Sequence, residues 1–467
     1  MSVTSIPIDE AVSRLRSSIT GKVLVPGDHG YDEARSGHHL QHDQRPAVIV
    51  AAADAADVAA AVSTAADADL AVVVHATGHA PYGVVDGALM IATGALNTVQ
   101  IDPVARTAVV GAGAVWGDVL ALAQKHGLAP LLGSNPTVGA VGYVLGGGLG
   151  WLGRKYGLGS DSVRSFELVT PDGSSRHVSA TENPDAFWVL RGAGNGTVGV
   201  VTQMEIELYP VSTVYAGNLL YPIEIAHDVI ARWRDWVADV SEDFTSSAVV
   251  MNFPDLDVVP DMFRGRAFAI LRGCWSGDPA EGQALIDTWR TWREPALDLF
   301  GELPFSEVAT ISNEPAEPML GIGVTDWFDA LPDQVLDIVI DATVGSPEHP
   351  SQVALTEIRH AGGAVRRAAA DAVNDLGRSG EFLLLMGGGA ATPDGLPPLQ
   401  DQLIQAQAAF APYATGAAFS NFLEGREKQT RAASGLSAAH LARLRQVQQT
   451  LDPDHRFCLG LGFGEVS

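Results

Sequence analysis

The segment His75-Ala76-Thr77-Gly78-His79-Ala80-Pro81-Tyr82-Gly83 follows directly on an apolar run, and its residue types suit two kinds of chemistry. The small side chains of Ala76, Thr77 and Gly78 let backbone N–H groups come close to an anion such as a pyrophosphate, as in other phosphate-cradling loops. His79 stands at the edge of that loop, where a neutral imidazole can act as a nucleophile. A histidine hydrogen-bonding in a surface turn accounts for the same residue when it is considered singly, so both readings stay open at this level.

A second concentration of unusual residues runs from Gly133 to Gly150, with a glycine every few positions. Such a segment wraps something and leaves little room for regular helix. Two frames match the dinucleotide pattern G-x-G-x-x-G: Gly148, Gly150 and Gly153, then Gly194, Gly196 and Gly199. Neither follows the first strand of an N-terminal strand-helix-strand unit, which disfavours a Rossmann nicotinamide site.

The elements that must position these residues are legible in the hydrophobic pattern. Residues 46–75 read as a strand, a helix started by Asp54 and a second strand. Short β-like runs follow between 87 and 115, then a helix over WGDVLALAQKHG closed by Gly127. Pro171-Asp172-Gly173 marks a hairpin, and VVTQMEIELYPV an alternating strand. Beyond residue 211 the glycine-rich texture gives way to longer runs, SSAVVMNF, GRAFAILRGCW and EFLLLMGGG, with amphipathic helices, as in a separate α+β layer. The expected division is 1–210 with a core at about 42–211, then 211–414, then a C-terminal segment 415–467 that returns to the first domain.

Composition narrows the partners. With 29 basic and 55 acidic residues the net charge is −26, a field that repels phosphate backbones and anionic lipid, so neither nucleic acid nor a membrane is expected as a partner. Cys274 and Cys458 are the only cysteines and have no metal-ligand or redox spacing, so no metal site is expected. The first 22 residues lack the basic start and apolar stretch of a signal peptide, and a soluble cytoplasmic protein is expected; the pattern does not speak to oligomeric state.

Taken in order, seven pieces resemble the berberine-bridge-enzyme-like branch of the vanillyl-alcohol-oxidase superfamily. They are RPAVIV with its following helix, the loop ending in His79, NPTVGAVGYVLGGGLG, KYGLGSD, RGAGNGTVGVVTQMEIELYP, EIRHAGGAV at 357–365, and FSNFL with LDPDHRF. The resemblance implies an α+β, two-domain flavoprotein. It combines an FAD-binding domain of the p-cresol-methylhydroxylase type with a substrate domain whose antiparallel sheet is covered by helices. It implies FAD bonded through its 8α-methyl to a ring nitrogen of His79. Many members add a cysteinyl bond at the position held here by Asn135, which cannot form a thioether, so a single tether is expected, as in the family's singly tethered bacterial amine oxidases.

The cofactor-binding residues carried over are His75, Ala76, Thr77, Gly78, His79, Ala80, Asn135, Pro136, Thr137, Gly139, Ala140, Gly142, Gly147, Gly148, Gly150, Gly199, Val200, Val201 and Asn421. Val138 falls where the family sets a side chain over the flavin's oxygen-reactive face, with core filling as the alternative. Tyr143 falls near the flavin's pyrimidine edge, where its hydroxyl would meet the charge that accumulates near N1 and O2 on reduction, or else packs as an aromatic.

Phe419 stands where alcohol- and sugar-oxidising relatives carry a tyrosine base. Its lack of a proton favours an amine donor, whose lone pair assists hydride loss, unless Glu357, Tyr209 or Tyr413 supplies a base. Asn421 matches a family asparagine expected to contact flavin or substrate. Alternation in 357–360 sets Glu357 and Arg359 on one sheet face and His360 on the other, as substrate contacts or as cross-strand structural pairs, with Arg378 nearby. The implied activity is hydride transfer from a small neutral or cationic organic substrate, amine or alcohol, to tethered flavin, with O2 reoxidising it to give H2O2. The alternative is a sugar or alcohol oxidase, or a dehydrogenase using another acceptor.

Overall fold

Asp54 starts the first long helix as its spacing predicts: the carboxylate accepts from the Asp57 N–H and satisfies one of the donors left free at the start of Ala55–Asp67. The helix packs its alanine-rich face over a four-stranded sheet ordered Lys22–Leu24, Val48–Ala51, Leu89–Ala92, Val72–His75, whose last three strands are parallel. Parallel strands are covered on both faces, and here that cover makes continuous valine-rich runs the natural sequence. The structure, a computed structural model, describes residues 5–80, 85–257, 259–346, 348–367, 377–425 and 427–462. Pro81, Tyr82 and Gly83 of the histidine loop lie outside the described residues.

A five-stranded antiparallel sheet ordered Val99–Asp102, Thr107–Gly111, Val200–Glu207, Val163–Val169, Ser175–Ser179 follows, with the expected hairpin joining the last two. Gly127 closes its helix region at φ 66°, the left-handed conformation that glycine adopts without penalty. The glycine-rich stretch contains more helix than its composition suggests, namely Ala140–Leu145 and Gly153–Tyr156. Both are short and end at glycine.

The second domain is built on an eight-stranded antiparallel sheet whose main path runs Leu297–Asp298, Thr213–Pro222, Ala267–Trp275, Phe244–Asn252, Leu355–His360, Phe382–Ala390, Leu320–Phe328, with Gly301–Pro304 pairing beside Thr213–Pro222. One face is buried under the helices Ala226–Trp236, Asp333–Val344 and Leu396–Phe410. Its other face meets the glycine-rich loop of the first domain: Thr245 Oγ1 accepts from the Arg154 N–H at 3.4 Å. The C-terminal segment runs back to the first domain, where the Arg456 carbonyl accepts from the Val72 N–H at 2.8 Å and Phe457 enters the core beneath the parallel strands.

Phe419 occupies a joint between the two domains. It is 1% exposed and packs with Leu149, Leu158, Trp327, Val365 and Leu383, with the Trp327 ring edge-on at 6.0 Å. These neighbours come from both domains and all are apolar. Truncation to Ala therefore opens a cavity at the joint and costs about 3–5 kcal/mol. Urea unfolding of Phe419→Ala checks this, and a midpoint unchanged from wild type contradicts the packing role.

Candidate functional site

The strand Val72–His75 delivers the histidine loop to a point where three other segments meet. The Thr77 and Gly78 carbonyls accept from the His38 and His39 N–H groups at 3.0 and 3.3 Å, and buried Lys428 donates to the Ala80 carbonyl at 2.6 Å. The N–H groups of Thr77, Gly78, His79 and Ala80 find no acceptor among the described residues, which leaves a row of donors suited to an anion. Gly78 and Gly37 touch so closely that a Cβ on Gly78 would stand 2.4 Å from the Gly37 Cα. His75 turns away from this row, its Nε2 3.1 Å from the Ser36 carbonyl.

The His79 imidazole lies between two hydroxyls, with Thr77 Oγ1 2.9 Å from Nδ1 and Thr137 Oγ1 3.2 Å from Nε2. The His38 ring stacks on it at 4.0 Å and 13°. Burial first, then the charges of His38 and His39, push the His79 pKa down to about 3, so the ring is neutral at physiological pH. Asn135, Thr137 and Gly139 reach this histidine from the second loop: Asn135 Oδ1 accepts from the Thr137 N–H at 2.9 Å, and the Gly139 N–H reaches Thr77 Oγ1 at 3.3 Å. Pro136 and Val138 connect them through backbone, their carbonyls accepting from Gly117 and Trp116 at 2.8 and 3.0 Å, and Ala140 follows as a buried helix start.

Tyr143 is wedged among glycines. A Cβ on Gly148 would stand 2.3 Å from its ring, and one on Gly150 would stand 1.8 Å from the Leu132 carbonyl. No side chain fits at either position. The Tyr143 hydroxyl is buried without a partner among the described residues, and burial, opposed by the Arg359 charge, pushes its pKa up, so it stays a donor. Asn421, expected against flavin or substrate, has its amide engaged with the glycine-rich backbone. Its Oδ1 accepts from Gly148 N–H at 3.0 Å and its Nδ2 donates to the Tyr143 carbonyl at 2.9 Å. Gly147 continues this turn, while a Cβ on Gly142 would meet open space. Gly199, Val200 and Val201 sit in and before a central strand, where Gly199 lets the backbone approach the Val169 carbonyl.

Across from this loop, register aligns Asn218 with Arg272, Arg272 with Ser247, and Ser247 with Arg359 on three neighbouring strand pairs. Glu357, two residues before Arg359, shares their face. Arg359 donates to Glu357 Oε2 from Nε and lies within 2.7 Å of it through Nη2, Ser247 donates to Oε1 at 2.7 Å, and Arg272 stands 3.6 Å from Oε1. Burial pushes the Glu357 carboxyl up, but the charges of Arg359 and Arg272 and the Ser247 bond outweigh it and hold it ionised below its ordinary value.

A cavity of about 20 Å3 between the domains is lined by Ser134, Gly150, Trp151, Thr245, Arg359 and His360. A roomier groove of about 330 Å3 lies elsewhere, against the hairpin and the helix Ala438–Leu451, and none of the candidate residues lines it. Tyr413 is exposed, and Tyr209 packs on the Tyr156 ring at 4.2 Å, its phenol pushed up by burial. His360 faces Glu381 at 2.9 Å, and Arg378 pairs with Asp161 at 2.5 Å. Residues absent from the sequence reading but present here are His38, Lys428, Arg272 and Asn218; the run His38-His39-Leu40-Gln41-His42 was the one available signal.

Free loop donors, a neutral histidine, an unpartnered buried phenol and a cradle of glycines fit FAD. Residues 46–179 match the family model described as FAD binding domain. (R)-6-Hydroxynicotine oxidase of Paenarthrobacter nicotinovorans is 37% identical over 227 residues, 48% of this chain and 46% of that protein, so the match spans about half the length of that relative. An FAD-linked oxidoreductase of Dictyostelium discoideum is 23% identical over 95% of this chain and 94% of its own length. Among solved structures, 6-hydroxy-D-nicotine oxidase from Arthrobacter nicotinovorans superposes with TM-score 0.84 at 24% identity, covering 96% of this chain and 98% of that one. Berberine bridge enzyme from Eschscholzia californica gives 0.82 at 18%, covering 96% and 97%. Among the described residues no helix is long and apolar enough to cross a membrane. Residues 46–179 are thus similar to the FAD binding domain family, within a two-domain α+β fold shared with berberine bridge enzyme and 6-hydroxy-D-nicotine oxidase.

Proposed function

We propose that this chain is an FAD-dependent oxidase that takes hydride from a small organic substrate, with its flavin bonded to His79. The observation that carries the reading is the neutral His79 imidazole, held between Thr77 and Thr137 at the rim of a loop with free N–H donors. When bound, FAD accepts the hydride and passes its electrons to O2, giving H2O2. The loop 76–80 and the glycine-rich segment would hold it, with the Tyr143 hydroxyl and the Arg359 charge available to negative charge arising on its ring. A small amine fits better than an alcohol. Phe419 is buried in an apolar joint, and Glu357 is an ionised carboxylate committed to two arginines and a serine, which makes it a weak base.

Intact-protein mass spectrometry tests the cofactor and its linkage together. The wild-type chain is expected to carry one added FAD mass, and His79→Ala is expected to release its flavin on acid precipitation. Flavin that stays with precipitated His79→Ala protein places the tether elsewhere.

Two further outcomes follow from the side chains around the ring. Val138→Leu is expected to slow reoxidation by O2 while anaerobic reduction stays at the wild-type rate, and stopped-flow traces of the two half-reactions separate them. Glu357→Gln leaves two buried guanidinium groups without their carboxylate and is expected to destabilise the fold by about 3–5 kcal/mol near neutral pH. Because the folded-state pKa of Glu357 lies below its ordinary value, its contribution is complete above that value and fades as pH falls through the folded one. The gap between wild type and Glu357→Gln in urea titrations should therefore narrow below about pH 4.5; a gap independent of pH removes the ionised role.

A further inference from the structure

We infer that Glu314 selects a cationic substrate, by receiving an organic ammonium ion at the mouth of the cavity between the domains. The inference deepens the proposed function, on whose small-amine reading it rests. Glu314 belongs to the irregular segment 312–319, which leads into the strand Leu320–Phe328 and lies against the first domain. That segment is held at both ends and in the middle. The Ile311 carbonyl, just before it, accepts from Asn218 Nδ2 at 2.9 Å, and the Pro315 carbonyl accepts from Asn135 Nδ2 at 3.2 Å. Met319 donates to the His38 carbonyl at 2.9 Å and accepts from the Leu40 N–H at 3.0 Å. Asn313 turns the chain at φ 48°, a left-handed conformation that asparagine tolerates better than most side chains, and Glu314 follows it directly.

Within the segment the carboxylate has a fixed place. Ser134 Oγ donates to Glu314 Oε1, and Ser134 also lines the cavity, together with Arg359. A serine hydroxyl satisfies one carboxylate oxygen and leaves the charge unneutralised. Among the described residues Oε2 has no partner and no cation pairs with Glu314. The residue is exposed, as an approach from solvent requires. Glu317, on the same segment, is exposed as well but has no hydrogen bond or ion pair among the described residues.

The cavity wall explains why a carboxylate is needed at the mouth. Arg359 and Arg272 bring two positive charges to the sheet face, and Glu357 offsets one of them. An approaching ammonium ion meets the positive charge that remains, and the repulsion is stronger where protein has replaced water. Glu314 supplies the second negative charge on the solvent side of that wall, and its charge is felt at Arg359, Arg272 and Tyr143. Neutralising Arg359 is not its sole task, because Arg359 takes its carboxylate contacts from Glu357 while Glu314 is bonded to Ser134. Simple aliphatic amines, like the lysine side chain, are ammonium ions near neutral pH, so the form that arrives is the form Glu314 attracts. Beyond the mouth the guanidinium charge disfavours a further cation. One N–H bond of the ammonium ion therefore breaks at the rim, its proton passes to water, and the amine enters with its lone pair restored.

The test uses the FAD-loaded protein and two probes: benzyltrimethylammonium, which carries a permanent positive charge, and benzyl alcohol, which carries none. Isothermal titration at low salt is expected to show Glu314→Gln binding the cation about fivefold more weakly than wild type, the scale of one exposed ion pair, and binding benzyl alcohol equally well. Added salt should narrow the difference in cation affinity. Glu317→Gln removes the same charge from the same segment of an acidic chain and should bind the cation as wild type does. Equal cation affinity in wild type and Glu314→Gln overturns the inference and leaves the flavoprotein reading standing. An equal loss in Glu317→Gln does the same, since it assigns the attraction to the general field of the chain. Protein that takes up no FAD overturns the proposed function and this inference together.

Discussion

The path of the backbone from Tyr143 to Gly150 is the constraint on which the site depends. It folds back so tightly around one tyrosine ring that Cβ atoms at Gly148 and Gly150 are excluded by that ring and by the Leu132 carbonyl. A glycine-rich loop has high conformational entropy when unfolded, so something must hold it. Asn421 does so from the far end of the chain, bonding the backbone on both sides of the turn, and the absence of a Cβ at Gly146 makes room for its amide. The C-terminal segment is thereby part of the cofactor domain's architecture: without it, the loop that cradles the ring has no clasp.

Charge in the facing sheet is arranged with equal economy. Three neighbouring strands, joined in two pairs, bring Arg272, Ser247 and Arg359 into one row, and a single buried carboxylate, Glu357, ties the two guanidinium groups together. A carboxylate satisfied in this way has little basicity left, whereas the Arg359 charge also bears on Tyr143. The face thus favours negative charge developing beside it over proton abstraction.

The fold was readable from the sequence wherever a period or a punctuating residue declared it. The alanine-rich helix with its Asp54 cap, the Pro171-Asp172-Gly173 hairpin, Gly127 and the long strands of the second domain all follow from local pattern. The alternation that paired Glu357 with Arg359 also holds. What local pattern could not supply was the partner of each group. Asn421 is a family asparagine in sequence and a backbone clasp in space; Phe419, read by its place in a motif, is packing between domains. Arg272 and Asn218 join the buried charge row only through register across strands 54 residues apart in sequence. His38 reaches His79 over a separation that no sequence period encodes.

Holding the histidine loop still is the remaining requirement, because any role of the His79 ring depends on how narrowly its position is confined. Three remote segments share that task. Residues 38 and 39 pair with the loop's carbonyls, Thr137 and Gly139 with its side chains, and Lys428 with the Ala80 carbonyl. Lys428 is an expensive choice: burial, opposed by the Glu424 charge, lowers its pKa to about 8, so part of its charge is lost in mildly alkaline solution. Glu424 in turn stands 2.7 Å from His39 Nδ1 and 3.4 Å from His42 Nε2, and Gln41, beside them, donates to Glu424 at 3.1 Å and accepts from the Gly321 N–H of the second domain's sheet at 3.3 Å. One polar junction therefore couples the N-terminal segment, the C-terminal segment and the second domain to the imidazole. The loop's geometry is set by the whole molecule.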